Sequence, residues 1–431
     1  MKIHIYPSAA AEAALARIQK RGVEFSTKDL ARVSKILADV RKNGDEAVLR
    51  YTREFDAPDF SGSSLRVPAK AIAEAPDKLP ADVRETIVRA AGNVRSFHEK
   101  AVPRSWITTD RPGTILGQLV GPVDAAGVYV PGGRRGDTPL VSSVLMGVIP
   151  AKIAGVPRVA VTTPPRPDGS VHPYLLAAAR IAGADEVYAV GSAWAVAALA
   201  YGTKDIPPVD VIVGPGNIFV TIAKKLVSGT VGIDMIAGPS EVLVVADKKA
   251  DPALAAADLL SQAEHDPLAR CLLVTDSRTL AARVKKELAA LVEQTPRRAI
   301  AEKSVKRFAE AFVVQDLDTA AELANRIAAE HLELMVQDPF SLFPKIRHAG
   351  AMFLGANTPE PVGDYLAGPN HVLPTAGTAR FSSALSVENF VKRTSLLHYS
   401  TEALIEDAAH VIRLAEMEGL FAHAGCVRKR T

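Results

Sequence analysis

The apolar and polar positions of the chain follow two different periods. In its first part, apolar side chains recur at every third or fourth position, which predicts amphipathic helices over residues 28–56 and 77–101, with a break near Gly44. From GVYV at 127–130 onward, short β-rich runs alternate with Ala-rich helical segments. Such an alternation is typical of βαβ units, so this part of the chain is predicted to form a parallel sheet.

The same alternation starts again after Gly238. Helical patterns separate β-rich runs such as EVLVVAD at 241–247, CLLVTD at 271–276 and AMFLG at 351–355. We therefore predict an α/β fold of two successive Rossmann-like lobes with parallel sheets, although neither lobe carries a GxGxxG fingerprint or a P-loop. Both ends of the chain are predicted to be helical, as an N-terminal arm and a C-terminal tail.

The predicted division of the chain encloses one lobe within the other. It comprises a helical arm over 1–25, one lobe over 26–128 plus 241–385, a second lobe over 129–240 and a tail over 386–431. The sequence contains no short repeat and no low-complexity linker between these parts.

The composition of the 431 residues is that of a globular protein, with 48% hydrophobic and 23% charged side chains. The net charge is only +3 and basic residues are interspersed with acidic ones, so neither nucleic acid nor an anionic membrane surface is expected as a partner. Cys271 and Cys426 form no CxxC pair, and the N-terminus lacks the apolar core of a signal peptide. The longest uncharged run, 187–203, is shorter than a membrane helix needs. These features predict a cytoplasmic protein without a membrane partner.

Two glycine-rich turns follow predicted strands, VPGGRRGDTP at 130–139 and GPGN at 214–217. Open α/β sheets bind ligands at such positions, and glycines let backbone amides approach a phosphate. Taken alone, these motifs favour an ordinary tight turn over a cofactor site.

The Ala/Leu-rich helix after residue 250 ends in SQAEHDP (261–267), where Gln262 and His265 project from the same face. They form either a solvated helix end or two ligands that reach toward a common partner. A histidine at this spacing indicates a metal site only when other ligands converge on it.

Two further segments contain residues suited to proton transfer or ligand binding. Glu330 and His331 are adjacent where a helix gives way to a strand, and such a pair can share proton transfer. The Gly- and Pro-rich stretch 361–375 contains Asp364 and His371, and loops of this kind often carry function. A solvated surface is the alternative interpretation for each segment.

Glu418 and His423 form a fourth polar segment near the C-terminus. On a continuous helix they would lie on different faces, so a helix end at Gly419 would be needed to bring them together. With the other segments they offer the nitrogen and oxygen donors of a mixed metal site, in addition to a Glu–His pair.

The segments together closely resemble the L-histidinol dehydrogenase family, over nearly the whole chain. The resemblance is carried by VYVPGG, SSVLM, GPGN, DMIAGPSEVLVVAD, DLLSQAEHDP, AAEHLEL, GDYLAGPNHVLPT, RFSS and AEMEGLFAH.

The resemblance implies a zinc-dependent homodimer that uses two NAD⁺ to oxidise L-histidinol through L-histidinal to L-histidine, in histidine biosynthesis. It implies that Glu330 and His331 are the catalytic acid–base pair and that zinc orients the substrate. The lobe over 129–240 would bind NAD and the other lobe would bind zinc and substrate. The tail over 386–431 would contribute to the active site of the partner subunit.

The metal, substrate and cofactor positions of the family all have counterparts in this chain. The implied zinc ligands are Gln262, His265, Asp364 and His423. The implied substrate contacts are these four together with Ser240, His331, His371 and Glu418, and Ser142 or Ser143 is a further candidate. The implied NAD contacts are Tyr129, Trp194 and Asn217.

The chain departs from the family pattern at two places near the expected cofactor site. GSAWA at 191–195 replaces the usual GGAQA, so Trp194 stands where the family has a glutamine that contacts the dinucleotide. Trp194 could stack on adenine instead of forming a hydrogen bond. The first glycine turn also carries a short insertion, RRGD at 134–137.

Two alternative functions stay open from the sequence. One is a relative within the family that oxidises another alcohol, such as a sulfonated diol, and the other is a zinc hydrolase without NAD. Retention of Ser240, His371 and Glu418 beside the zinc set favours histidinol over the other alcohol.

Overall fold

The computed structural model describes residues 1–60, 65–133 and 136–431. The strands are β1 (Lys2–Ile5), β2 (Trp106–Thr108), β3 (Thr114–Pro122), β4 (Ala125–Tyr129), β5 (Arg158–Thr163), β6 (Glu186–Ala189), β7 (Val211–Val213), β8 (Gly232–Ile233), β9 (Glu241–Ala246), β10 (Arg270–Thr275), β11 (Ala309–Val313), β12 (His331–Met335), β13 (Ala351–Leu354) and β14 (Val391–Tyr399). The helices are α1 (Ala9–Gln19), α2 (Thr27–Phe55), α3 (Ala69–Glu74), α4 (Ala81–His98), α5 (Val141–Ala154), α6 (Pro173–Ala182), α7 (Ser192–Tyr201), α8 (Ile218–Val227), α9 (Pro252–Ala263), α10 (Arg278–Gln294), α11 (Arg298–Phe308), α12 (Leu317–Ile327), α13 (Pro339–Leu342), α14 (Glu360–Val362), α15 (Thr401–Met417) and α16 (Phe421–Arg428).

Two parallel sheets form the framework of the molecule. Six strands make the first sheet in the order β1-β11-β10-β9-β12-β13, and five make the second in the order β6-β5-β4-β7-β8. Neighbouring strands are parallel throughout both sheets. A third sheet, β14-β3-β2, is antiparallel. The predicted α/β fold with parallel sheets is therefore confirmed.

The six-stranded sheet is covered by helices on both faces. Val242 and Val244 of β9 pack with apolar residues of α9 and α10, whereas Leu243 and Val245 pack with those of α1 and α12. Successive strand residues point to opposite faces, so a strand covered on both sides is apolar throughout. Burial on both faces explains why the runs of this sheet show no alternation of apolar and polar residues.

The five-stranded sheet shares one continuous core with the helices α2, α4, α5, α7 and α8. The predicted grouping joins residues 26–128 to the other lobe, so the packing of α2 and α4 departs from it. The apolar stripe of an amphipathic helix fits either sheet, and only tertiary contacts decide between them. The domain boundaries themselves stay a prediction.

Both predicted helical ends contain a strand as well as helices. Lys2–Ile5 form β1, which pairs in parallel with β11 before α1 begins. Val391–Tyr399 form β14, which pairs with β3 along its whole length before α15 begins. The predicted helical arm and helical tail are confirmed. Each also contains a strand that is stabilised by a distant partner strand, and local periodicity does not reveal such a partner.

The long helix α2 is interrupted at Gly44, as predicted. Gly44 has a φ of +54° and a ψ of −132°, and this left-handed φ is readily adopted by glycine.

Among the described residues, no helix combines the length and the apolar character that would let it cross a membrane.

Candidate active site

The predicted catalytic pair lies at the amino-terminal ends of the strands β9 and β12 of the six-stranded sheet, which we call the catalytic edge. His331 is the first residue of β12 and Glu330 directly precedes it, while Glu241 opens the neighbouring strand β9. His331 pairs with Val242 in the parallel register, so the two strand starts lie side by side. The backbone of Glu241 is consequently within reach of both Glu330 and His331.

The imidazole of His331 has a defined tautomer. Its Nδ1 lies 3.2 Å from the carbonyl oxygen of Glu241, which can only accept, so Nδ1 carries the proton and donates. Burial lowers the pKa of His331 to about 3 and keeps the ring neutral at neutral pH. Nε2 lies 3.8 Å from Asp364 Oδ1 and 3.9 Å from Glu360 Oε1, and has no hydrogen-bond partner among the described residues. A neutral imidazole with a free Nε2 can accept a proton from a substrate.

Glu330 is buried beside His331. Its Oε2 accepts a hydrogen bond of 2.9 Å from the N–H of Glu241 and lies 3.8 Å from His331 Nδ1. Burial raises the pKa of the Glu330 carboxyl well above its ordinary value. A carboxyl placed beside a neutral imidazole can take part in proton transfer with that ring or with a water molecule.

Asp364 lies on a single π-helical turn, Gly363–Ala367, which directly follows α14. Such turns are frequent at functional sites. One ligand atom each of His331, Glu360 and Asp364 lie within 4.8 Å of one another, close enough to hold a metal ion. His371 donates from Nδ1 to the backbone carbonyl oxygen of Asp364 over 3.0 Å. The predicted residues Asp364 and His371 are thus brought to the catalytic pair.

Several carboxyl groups of this region are largely buried, and burial raises their pKa values. Burial raises the pKa of Asp364 to about 6, and burial together with the charge of Asp364 raises that of Glu360 to about 7. Burial and the neighbouring Asp258 raise the pKa of Glu333 to about 9, while Glu333 accepts a hydrogen bond of 2.9 Å from the N–H of Glu360. A bound cation would favour the charged forms of these acids.

The end of α9 brings Gln262 to the same region. Gln262 is fully buried, yet both of its side-chain polar atoms lack hydrogen-bond partners among the described residues. Its neighbour Ser261 donates to Glu360 Oε2 over 3.0 Å, which places the helix end beside the carboxylates. A buried amide without partners is unfavourable unless a ligand occupies it.

His265 lies one turn further on and is exposed. It lies near His331 and His371, since a positive charge at this position would lower the pKa of both rings. The amide oxygen of Gln262, the imidazole of His265 and the carboxylate of Asp364 are donors of the nitrogen and oxygen types that zinc accepts. The residues present therefore fit the expected metal.

The predicted serine contacts occupy two different places. Ser240 directly precedes β9 and so borders the catalytic edge of the sheet. Ser142 and Ser143 lie in the first turn of α5, where Ser143 is buried.

Glu418 and His423 lie at the junction of α15 and α16. The helix α15 ends just before Glu418, Gly419 takes a φ of +73°, and α16 begins at Phe421, so the predicted helix end at Gly419 is confirmed. Both side chains are exposed. Within the described part of the chain, neither forms a hydrogen bond or ion pair with the site residues above. The cluster of possible metal ligands among the described residues, His331, Glu360 and Asp364, includes neither of them.

A cavity of about 430 Å³ opens at the carboxyl end of the five-stranded sheet. All three predicted NAD contacts line it, namely Tyr129, Trp194 and Asn217, and so do Gly132 and Gly133 of the first glycine turn. The carboxyl end of a parallel sheet is the usual ligand-binding edge. The catalytic pair thus lies at the amino ends of the strands of one sheet, whereas the cavity lies at the carboxyl ends of the strands of the other.

Two helix amino termini border this cavity. Asn217 caps α8 by accepting hydrogen bonds from two backbone N–H groups of the first turn, and Ser192 begins α7. Arg32 adds a cationic side chain to the lining. Helix amino termini and an arginine both favour a negatively charged group such as a pyrophosphate.

The match to known proteins extends over almost the entire chain. The family model described as histidinol dehydrogenase matches residues 19–431. The histidinol dehydrogenase of Oleidesulfovibrio alaskensis is 56% identical over 398 residues, which are 92% of each chain. That of Heliobacterium mobile is 49% identical over 430 residues, covering 100% of this chain and 99% of its own. The chain belongs to the histidinol dehydrogenase family.

The fold supports the same membership. The crystal structure of histidinol dehydrogenase from Elizabethkingia anophelis has a TM-score of 0.92 to this structure at 33% sequence identity, and the match covers 100% of this chain and 98% of that one. Histidinol dehydrogenases are NAD-dependent oxidoreductases of histidine biosynthesis, and this chain is therefore such an oxidoreductase.

Trp194, which departs from the histidinol dehydrogenase pattern, packs against two aromatic side chains of the same chain. It stacks against Phe55 at 5.6 Å and Tyr51 at 5.8 Å between ring centroids, and it is only 4% exposed. Its Nε1 lacks a partner among the described residues, so the indole N–H is the polar atom that remains for a dinucleotide. Stacking of Trp194 on adenine stays a prediction. Arg134 and Arg135 of the RRGD insertion lie outside the described residues.

Two residues of these sites are missing from the sequence-based set. Glu360 precedes Asp364 by four positions, a helical spacing that could have identified it. Asp56 follows the last residue of α2 and lines the cavity beside Tyr129, where its Oδ2 is buried without a hydrogen-bond partner among the described residues. No sequence pattern marks Asp56, because its burial depends on α2 packing against the distant sheet.

Replacing Asp56 with Asn should stabilise the ligand-free protein at alkaline pH. Burial raises the pKa of Asp56 from 3.8 to about 7, so the folded chain retains a proton that the unfolded chain releases between these pH values. Stability consequently falls as the pH rises from about 4 to about 7, and the variant escapes this loss. We expect a gain on the order of 3 kcal/mol at pH 8 and little gain at pH 4.

Thermal unfolding of the metal- and cofactor-free protein at both pH values would measure this difference. Asp59→Asn, which removes an exposed carboxyl three residues away, provides the control. Equal effects of Asp56→Asn at the two pH values would contradict the assignment.

Proposed function

We propose that this histidinol dehydrogenase family member oxidises L-histidinol through L-histidinal to L-histidine and reduces two NAD⁺ in doing so. The observation that carries the proposal is the buried, neutral His331, whose Nε2 faces Asp364 and Glu360 without a hydrogen-bond partner among the described residues. This geometry supports a general base beside a metal-binding centre.

We propose that Gln262, His265 and Asp364 of one subunit hold the zinc ion, together with His423 of the partner subunit. The orphaned amide of Gln262 supports this ligand set, since a metal would satisfy its buried oxygen. When bound, zinc would supply an anchor for the imidazole nitrogen and the amine of the substrate, and NAD⁺ would supply the hydride acceptor. The proposed assembly is a homodimer with shared active sites.

In the first oxidation, Nε2 of His331 accepts the proton of the substrate hydroxyl. The carbinol carbon loses a hydride at the same time, and the C–O bond becomes the C=O bond of the aldehyde. The carbonyl oxygen of Glu241 accepts the hydrogen bond from Nδ1 and so favours the positive charge that develops on the ring. His331 then returns its proton to solvent.

In the second oxidation, Glu330 accepts a proton from water as the water oxygen attacks the aldehyde carbon. The former carbonyl oxygen takes up a proton from solvent, which gives the hydrate. The hydrate then transfers one hydroxyl proton to His331 and a hydride to the second NAD⁺, which leaves the carboxylic acid of L-histidine. We propose that Ser240, His371 and the partner subunit's Glu418 contact the substrate during both steps. Holding the aldehyde in place protects it from reaction with free amines.

We propose that NAD occupies the cavity at the carboxyl end of the five-stranded sheet. The aromatic side chains of Tyr129 and Trp194 supply apolar walls, and the helix amino terminus capped by Asn217 favours the pyrophosphate. Arg32 lies on the same lining and adds positive charge.

The proposal is tested with purified protein, zinc, NAD⁺ and L-histidinol. Two NADH per L-histidine are expected, whereas L-histidinal should yield only one. A chelator should abolish both activities and added zinc should restore them. NADH formation from a different alcohol but not from L-histidinol would indicate the alternative relative of the family. No NADH with any alcohol would overturn the dehydrogenase assignment.

Glu330→Gln should impair aldehyde oxidation more strongly than alcohol oxidation. Gln keeps the shape of the side chain but does not accept a proton from water, and a general base typically contributes about 10²- to 10⁴-fold in rate. Single-turnover rates with L-histidinol and with L-histidinal separate the two steps. Equal losses with both substrates would contradict the role of Glu330 in activating water.

A further inference from the structure

The N-terminal arm reaches the catalytic edge through the side chain of Arg21. Its guanidinium donates twice to the Glu241 carboxylate, with an Nε–Oε2 distance of 2.6 Å and an Nη2–Oε1 distance of 2.5 Å. Both side chains are almost fully buried, at 4% and 1% exposure. Further N–H groups donate to the backbone carbonyl oxygens of Ile18 and Ile327, each over 2.8 Å. One guanidinium thus joins the end of α1, the start of β9 and the end of α12.

The elements joined by Arg21 are those that orient the catalytic pair. The N–H of Glu241 donates to the Glu330 carboxylate over 2.9 Å, and its carbonyl oxygen accepts from His331 Nδ1 over 3.2 Å. Ile327 ends α12 three residues before Glu330. Arg21 therefore holds both the backbone that hydrogen-bonds the catalytic side chains and the segment that carries them.

We propose that Arg21 is a positioning residue for the oxidation, and that it acts through Glu241 to keep Glu330 and His331 in their reactive orientation. Its guanidinium donates to the Glu241 carboxylate and to backbone carbonyl groups and, among the described residues, forms no hydrogen bond with the side chains of Glu330 or His331. The inference rests on the proposed catalytic roles of Glu330 and His331.

The geometry requires an arginine. Its planar fork binds a carboxylate through two parallel hydrogen bonds and still has donors for carbonyl groups, whereas the ammonium of lysine is a single point of charge. A displacement of about 1 Å in a catalytic group can lower the rate about 100-fold. We therefore expect Arg21→Lys to lower kcat about 10- to 100-fold, with the KM for L-histidinol and the zinc content unchanged.

A paired variant guards against loss of folding. Arg21→Gln combined with Glu241→Gln removes both buried charges together, so neither is left without its counter-ion. The two amides retain hydrogen bonding but not the bidentate clamp. The same fall in kcat is expected.

Arg326 of α12 offers a matched control because its side chain also binds residues of the N-terminal arm. Its guanidinium pairs with Glu12 of α1 at 2.7 Å and donates to the hydroxyl of Tyr6 over 3.1 Å, and these partners lie outside the catalytic edge. Arg326→Lys should lower the unfolding temperature but leave kcat unchanged.

A double-mutant cycle separates positioning from general stability. In a His331→Asn background, Arg21→Lys should cause little further fall in kcat for the first oxidation, because the group that it positions is gone. If Arg21→Lys lowers kcat in the His331→Asn background by as large a factor as in the wild-type background, the proposal is overturned. An unchanged kcat in the folded Arg21 variants would also overturn it, and so would an equal fall in Arg326→Lys.

A second readout does not depend on activity. NMR of ¹⁵N-labelled histidine reports which ring nitrogen carries the proton, and comparison with His331→Asn assigns the signals of His331. The Nδ1–H tautomer is expected in the wild type and a mixture of tautomers in the Arg21 variants. A pure Nδ1–H tautomer in those variants would count against the proposal. If the wild type fails to oxidise L-histidinol, the proposed function fails, while the NMR result still decides whether Arg21 orients His331.

Discussion

Replacing His331 with Asn is expected to lower the rate of the first oxidation by about 10²- to 10⁴-fold, the usual contribution of a positioned general base. Asn is polar and planar but accepts no proton at neutral pH. The zinc content should stay at the wild-type level, because Gln262, His265 and Asp364 are retained. NADH formation from L-histidinol and metal analysis of the purified variant measure the two quantities.

The zinc content is the decisive part of this experiment. His331 lies close enough to Glu360 and Asp364 for the three to hold one ion, which would make His331 a ligand instead of a base. Loss of zinc together with activity would therefore contradict the assignment of His331 as the base. His4→Asn is a suitable control, since the side chain of His4 is also largely buried, at 14% exposure, but lies on β1, four strands away from β12 in the sheet. That variant should keep its kcat even where its stability falls.

The parallel sheets could be predicted from the sequence because each βαβ unit has a local signature. A buried strand such as β9 is an unbroken apolar run, and the following helix has its own period. The strands β1 and β14 lack this signature, since each is stabilised by pairing with a strand far away in the chain. The placement of α2 and α4 on the five-stranded sheet is equally a tertiary effect.

The candidate site could be predicted in part for a related reason. The spacing of Gln262 and His265 predicts a shared helix face, but α9 ends at Ala263 and His265 lies in the turn that follows it. Only the family resemblance joins these two residues to Asp364. Arg21 lies 220 residues from Glu241 along the chain, and its contact with that carboxylate has no local counterpart in the sequence. Residues that orient a site through such distant contacts are therefore the ones that periodicity and motifs miss.

Exposed apolar side chains surround the segment that carries Glu418 and His423. Leu414, Met417, Leu420 and Phe421 are 60%, 76%, 42% and 68% exposed on α15, on α16 and in the turn between them. A cluster of large apolar side chains next to Glu418 and His423 is typical of a protein–protein contact. This exposure supports the proposal that the tail inserts into a second subunit, where His423 would complete the zinc site.

Mixed dimers of His423→Asn and His331→Asn chains should recover activity that neither variant has alone. If the partner subunit supplies His423, the His423→Asn chain of a mixed dimer keeps its own His331 and receives an intact His423. The other site carries both defects. One of the two sites is then wild type, so dimers isolated with two different affinity tags should show about half of the wild-type kcat.

The matched control is a mixed dimer of His331→Asn and Asp364→Asn chains. Under the same sharing arrangement these two residues belong to one subunit's site, so each site of this dimer retains a defect and no activity should return. Absence of recovery in verified His423→Asn/His331→Asn dimers would place His423 in the site of its own subunit. Recovery in the first dimer but not in the second therefore requires that the tail crosses between subunits, since mere stabilisation by dimerisation would act on both alike.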